Sequence, residues 1–262
     1  MAHKHENVYS IDFYAYHSKL RALNPGFKVL LTILILLLCI MADSPIVSTT
    51  VILSMGYLTV VKGHLSFSRY LSLLTIPLSF MLIGSIAIAV GVAGEPTGDC
   101  YLNLHLFYLY VTKNSMIRAL QLMLKAFGAV SATYMLVLST PAGEIISVLR
   151  QLHIPKLVIE LMNMIYRFIF ILMDVQCSMR HSAESRLGYC DFKTSCLSFG
   201  RTAGNLLLLS LKKANTYYDA LISRCYDGEL LFLEEEKKVT GIQVAAACIY
   251  LSLLIIIWYF TV

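Results

Sequence analysis

The sequence predicts an all-α integral membrane protein: a bundle of about five to six transmembrane helices plus two long cytoplasmic or interfacial helices. Three observations carry this. Of 262 residues, 58% are hydrophobic and 14% are charged, whereas a soluble domain carries about 25% charged residues. The uncharged runs Tyr70–Val92 and Thr240–Val262 are each 23 residues long, and a hydrocarbon core is crossed by roughly 20 helical residues. Between residues 156 and 238 the pattern changes to amphipathic helices, in part too polar for lipid.

In chain order, the first 26 residues are polar and aromatic. They lack the early apolar core of a cleavable signal peptide. The runs Val29–Ala42 and Ile46–Val61 flank the turn Asp43-Ser44-Pro45. They read as a tight helical hairpin, with Lys28 and Lys62 snorkelling to the same interface. Tyr70–Val92 is the third span. A loop rich in Gly91, Gly94, Pro96 and Gly98 follows and reads as irregular. The fourth span lies around Ile117–Ser139, interrupted by Lys125, and Thr240–Val262 is the last. The chain divides into amino-terminal transmembrane helices (1–142), a cytoplasmic or interfacial helical segment (143–238) and a carboxyl-terminal transmembrane helix (239–262).

Basic residues in short loops mark the cytoplasmic side. Lys4, Lys19, Arg21 and Lys28 place the amino terminus inside, as do Lys62, His64 and Arg69 for the second inner loop. Glu95 and Asp99 then lie outside, and Glu144, Arg150 and Lys156 inside. Lys113 and Arg118 are exceptions at the outer end of the fourth span. The seven cysteines are scattered without a Cys-x-x-Cys pair. They read as reduced packing residues.

The stretch Lys156–Leu187 has helical periodicity. Glu160, Arg167, Asp174 and His181 recur every seven residues and so share one face. A helix of about 32 residues is roughly 48 Å long, longer than a bilayer core, and its second half is too polar for lipid. Gly188 ends it. A second helix runs from about Ser195 to Tyr226 and ends at Asp227-Gly228.

The two helices finish alike, on Ser185-Arg186-Leu187-Gly188 and on Ser223-Arg224-Cys225-Tyr226-Asp227-Gly228. One reading is capping: a cation is favoured at a helix carboxyl end, and Gly takes the left-handed cap position. The other is docking, since a planar guanidinium pairs with carboxylates or carbonyls of a partner. Two matched tips on one membrane protein favour docking.

With these residues in view, the chain resembles the transmembrane component of energy-coupling factor (ECF) transporters, in particular the CbiQ-type cobalt branch. The likeness covers nearly the whole chain. Its amino-terminal signature is matched by Asp12–Arg21 and by Asn24-Pro25-Gly26-Phe27-Lys28. The stretch Ile154-Pro155-Lys156-Leu157 through Tyr166–Phe170 resembles the family's lead into its coupling helices. Ser185-Arg186-Leu187 and Ser223-Arg224-Cys225 fall where the family carries paired Ala-Arg-Gly motifs. Both keep the arginine and depart from the pattern on either side of it.

The resemblance implies a non-catalytic coupling subunit of an ATP-driven importer in a bacterial or archaeal cell membrane. Two ABC-type ATPase subunits would each receive one tip, and their closure would be passed to a separate substrate-binding membrane subunit. Cobalt is the cation the branch implies, with nickel or a vitamin as the wider family's alternatives. ATP would be bound by the partners, since the chain has no Gly-x-x-x-x-Gly-Lys-Ser/Thr loop. No cofactor, resident metal or nucleic acid is expected.

Four other constellations have plainer readings. His3-Lys4-His5-Glu6 has the ligand types of a Co, Ni or Zn site, but a solvated terminus is preferred. Arg118 and Lys125 share a face of the fourth span and suit a pair turned to the bundle interior or interface. Glu160 and Arg167 could form a hinge pair or a solvated stripe. Leu206–Leu209 suits packing on the first long helix. A lipid- or prenyl-modifying enzyme is the alternative from another class, but its paired interfacial carboxylates are missing apart from Glu234–Glu236, which suit a solvated loop. A secondary transporter would show inverted repeats and broken midplane helices, and neither is seen.

Overall fold

The computed structural model describes residues 10–93, 100–103, 108–152, 154–227 and 237–261. Helices dominate, and the all-α membrane class holds. The chain divides into two compact units, Met1–Ile145 with Glu236–Val262, and Ile146–Glu235.

The first unit begins with α1 (Ser10–His17), a short 3-10 turn at Lys19–Ala22, and α2 (Pro25–Met41). Asn24 sets the start of α2. Its side-chain oxygen accepts from the Phe27 N–H at 3.1 Å, and Pro25 at the first position has its backbone angle already fixed for a helix. α3 (Pro45–Tyr57) continues through a π-helical turn at Leu58–Lys62. α4 is Phe67–Ala89, α5 is Lys113–Ser139 and α9 is Gly241–Thr261. Pro45–Lys62, α4, α5 and α9 are each long and apolar enough to cross a membrane, and α2 is a shorter apolar helix.

α5 organises this unit. Both α2 and α3 pack more extensively on α5 than on each other, so the expected tight hairpin is opened by a third helix. Glycine permits this: a Cβ on Gly128 of α5 would stand 2.9 Å from Cys39 Sγ and 3.4 Å from the Ser48 carbonyl oxygen. Around that approach Ile35, Val47, Val51, Met55, Ala132, Met135 and Leu254 form the main core. A second cluster joins Leu65, Tyr70, Leu74 and Leu138. On α4, Ile76, Phe80 and Ile83 are 75%, 78% and 69% exposed. Such a surface suits lipid, where apolar exposure carries no hydration penalty.

Lys28 does not snorkel. It is 2% exposed, and its ammonium donates to the carbonyls of Ser139 at 2.8 Å and Leu20 at 3.2 Å. Ser139 is the last residue of α5, whose terminal carbonyls have no intrahelical donor. The lysine therefore closes that helix end from inside the bundle. Lys125 is likewise partnered. Its ammonium meets the Asp43 carboxylate at 2.5 Å, in a pocket of about 290 Å³ that Arg118 also lines.

The loop expected to be irregular contains strands. β1 (Val90–Ala93), β2 (Cys100–Asn103) and β3 (Tyr108–Val111) form an antiparallel sheet of order β1-β3-β2, with Val90 opposite Val111 and Cys100 opposite the same residue. The glycines and proline drew attention away from Tyr108-Leu109-Tyr110-Val111, whose aromatic and β-branched residues favour strands. Glu95 and Asp99 lie outside the described residues, as do His3–Glu6 and Glu234–Glu236. The six cysteines whose side chains are described are free, but only Cys39 is buried and Cys177 half-buried. Cys190, Cys196, Cys225 and Cys248 are exposed, so packing does not account for them.

A helix α6 (Ala142–Gln151), not expected from the charge pattern, spans the unit boundary. In the second unit α7 (Lys156–Glu184) and α8 (Phe192–Ile222) form an antiparallel hairpin. Phe168 meets Tyr217 edge to face with centroids 5.4 Å apart, and the Arg167 guanidinium lies 5.7 Å from the same Tyr217 ring. Glu160 is 5% exposed and accepts from the Tyr226 hydroxyl at 3.3 Å. Glu160 and Arg167 thus both engage residues on and just beyond α8. The leucine patch divides: Leu206 and Leu209 are half-buried, while Leu207 and Leu208 are exposed. Four consecutive residues span a full helical turn and cannot all face one neighbour.

Candidate functional site

Each long helix ends in the same hydrogen-bonded turn. At the first tip the Gly188 N–H donates to the Ala183 carbonyl at 2.8 Å and the Leu187 N–H to Glu184 at 3.1 Å. At the second, the Tyr226 N–H donates to Leu221 at 3.1 Å and the Cys225 N–H to Ile222 at 2.9 Å. This pair of bonds is the Schellman motif, which satisfies carbonyls that a helix end would otherwise leave without donors. Ser185 Oγ donates to the His181 carbonyl at 2.8 Å, and Ser223 Oγ to Ala220 at 3.0 Å. Both serines therefore fold back on their own helix. Arg186 and Arg224 follow them and are exposed.

The left-handed position of each turn is not glycine. It is Leu187, at φ 57°, and Cys225, at φ 58°. The sequence suggested Gly188 for this place, but the bonding pattern moves the left-handed residue one earlier at the first tip. A residue bearing a Cβ carries about 1–2 kcal/mol of strain there. Leu187→Gly and Cys225→Gly are each expected to raise the local stability of their helix end, by about 1 kcal/mol or less once glycine's larger unfolded-state freedom is counted. Amide hydrogen exchange at the last turns of α7 and α8 would measure this. Faster exchange in the glycine variants would contradict it.

The residue after the left-handed position differs between the tips. A Cβ on Gly188 would meet the Ala183 carbonyl oxygen and Ser198 Oγ, each at 2.8 Å, so the first tip sits close against the start of α8. Tyr226 instead reaches Glu160 near the start of α7. Loss of water contact and then the Glu160 charge push its phenol above the usual tyrosine value, so it stays a neutral donor. Asp227 is exposed, and Gly228 lies outside the described residues.

The hairpin joins the residues of each tip but separates the tips themselves. Ser185–Gly188 form the closed end, and Ser223–Asp227 lie at the open end. The 31 residues of α8 intervene, which at 1.5 Å per residue puts the tips on the order of 45 Å apart. Beside Arg186, a polar groove of about 690 Å³ runs between the helices, lined by Asp174, Ser178, Ser182, Ser198 and Arg201 among others. Among the described residues no group of three or more His, Cys, Asp or Glu side chains could hold a metal ion.

The comparison with known families decides the identity. The family of the cobalt transport protein CbiQ matches residues 17–236. The chain belongs to the CbiQ family. It is 26% identical to the cobalt transport protein CbiQ of Salmonella typhimurium, over 84% of this chain and 97% of that one. It is 27% identical to a Methanocorpusculum labreanum protein named as a fused cobalt transport protein CbiMQ, over 93% of this chain and 41% of that longer one. An uncharacterized protein of Methanocaldococcus jannaschii is 28% identical over 96% of this chain and 93% of its own length. With its apolar helices, CbiQ membership makes the chain a multi-pass membrane component of cobalt transport.

One polar cluster was missed in the sequence. Arg21, Asn24, Glu144 and Lys237 come together although they are separated by up to 216 positions. A lone acidic residue in the first turn of a short helix carries no local signal of a partner that far away.

Proposed function

We propose that the chain is the coupling subunit of an ATP-driven cobalt importer, and that the tips of α7 and α8 receive two ATPase subunits. The matched Schellman turns carry this reading. Each ends a long amphipathic helix on an exposed arginine, and each holds that arginine in the same backbone frame. A single capped helix needs no such duplicate. The separation of the tips supports two receptors rather than one. The name of the fused relative supports a complex with a further membrane subunit.

On this reading the amino terminus and both tips face the cytoplasm, and Lys19, Arg21, Lys62 and Arg69 support that orientation. Substrate capture belongs to the partner membrane subunit, and ATP binding to the ATPases. Movement of the two tips by the ATPases would change the geometry of the α7–α8 hairpin, and that change is the signal passed on.

Purification of the tagged chain in mild detergent from its native membrane tests the reading. Two ATPase subunits per chain are expected to accompany it, together with at least one other membrane protein. A chain recovered alone that nonetheless supports cobalt uptake in vesicles would overturn it.

A further inference from the structure

The boundary between the two units falls between Ile145 and Ile146 and between Glu235 and Glu236. Only at these two places does the backbone pass from one unit to the other. On the membrane-unit side, Glu144 stands one residue before the first passage and Lys237 one residue beyond Glu236 at the second. These two side chains are bonded to each other: Lys237 Nζ donates to Glu144 Oε1 at 2.6 Å.

The rest of the cluster tightens this link. Arg21 Nε donates to the same Glu144 oxygen at 3.1 Å, and Lys237 Nζ also donates to the Arg21 carbonyl at 2.8 Å. Asn24, which caps α2, donates through Nδ2 to the Lys237 carbonyl at 2.5 Å. Lys237 is therefore held by both its side chain and its backbone. The side chains are sheltered, with Glu144 17% and Lys237 13% exposed. In such a setting, removal of one partner weakens the compensation of the remaining charges, a larger effect than for an exposed pair.

We propose that Glu144 is a positioning residue for energy coupling: with Arg21 and Lys237 it locks together the two chain passages through which hairpin movement enters the membrane unit. The proposal rests on the coupling reading above. With the lock closed, the passages can move only as one body, and Leu20–Lys28 moves with them. With the lock open, either passage can yield alone and the movement is not passed on as one.

The test uses the whole complex, reconstituted in lipid vesicles with the ATPase and membrane subunits that accompany the wild-type chain. Radiolabelled Co(II) uptake and ATP hydrolysis are measured together. Glu144→Gln, and separately Lys237→Gln, are expected to leave subunit composition unchanged while uptake per ATP falls by about tenfold, within the usual range of coupling between sites. The charge exchange Glu144→Lys with Lys237→Glu is expected to recover most of that ratio. If both single variants keep the wild-type ratio, or lose uptake only in proportion to lost complex, the lock is merely structural and the proposal falls. Failure of the charge exchange to recover any coupling also counts against it. A wild-type chain that carries no ATPase overturns the coupling reading itself, and the lock with it.

Discussion

Reversing both tip arginines, Arg186→Glu with Arg224→Glu, is expected to abolish ATPase association and cobalt uptake while membrane insertion is unchanged. Both side chains are exposed, so the folded chain loses little by the change. Exposed surface substitutions away from special features alter stability by about 0.5 kcal/mol or less. At a docked interface the same change places a carboxylate where a cation was received, and like charges brought together there cost several kcal/mol. With two tips engaged at once, loss of both also removes the gain from bivalent attachment. The single variants are expected to retain weakened association, because one tip remains. Full uptake by the double variant, with wild-type amounts of ATPase retained, would sink the docking assignment.

Lys28→Met is expected to destabilise the membrane unit by about 2–3 kcal/mol, through loss of charged hydrogen bonds to two carbonyls and the orphaning of both acceptors. Methionine fills a similar volume, so packing changes little and the polar loss is isolated. The Ser139 carbonyl lies at the end of α5, on which α1, α2, α3 and α4 pack. Thermal unfolding in detergent, followed by the fluorescence of the one tryptophan, Trp258, would report the loss. An unchanged midpoint would mean that water replaces the ammonium and that the site is not dry. Lys62→Met is the control, since this exposed lysine sits at the surface end of its helix.

The contrast between these two lysines shows where reading the sequence stops. Both flank apolar runs in the same way, and local pattern assigns both to an interface. Lys62 is exposed, but Lys28 turns inward because the end of α5 and the Leu20 carbonyl present acceptors to it. Those acceptors come from 111 and 8 positions away. The same limit applies to the tips. Composition announced Ser-Arg followed by a turn, but the choice of left-handed residue depends on which N–H bonds which carbonyl. Leu187 and Cys225 therefore occupy a place that side-chain preference would have assigned to glycine.

Membrane class, the helices near each apolar run, the two long amphipathic helices and the likeness of their ends are all written locally. Hydrophobic run length and helical periodicity are properties of neighbouring residues, so the chain states them by itself. The tertiary structure alone decided that α2 and α3 pack chiefly on α5 rather than on each other, that Glu160 and Arg167 engage the α8 side of the hairpin, and that Glu144 joins Arg21 to Lys237. Each of these depends on close packing or a charge pair between distant segments. Burial makes such pairs specific, because a sheltered charge or carbonyl must find a partner, and only the folded chain determines which one is within reach.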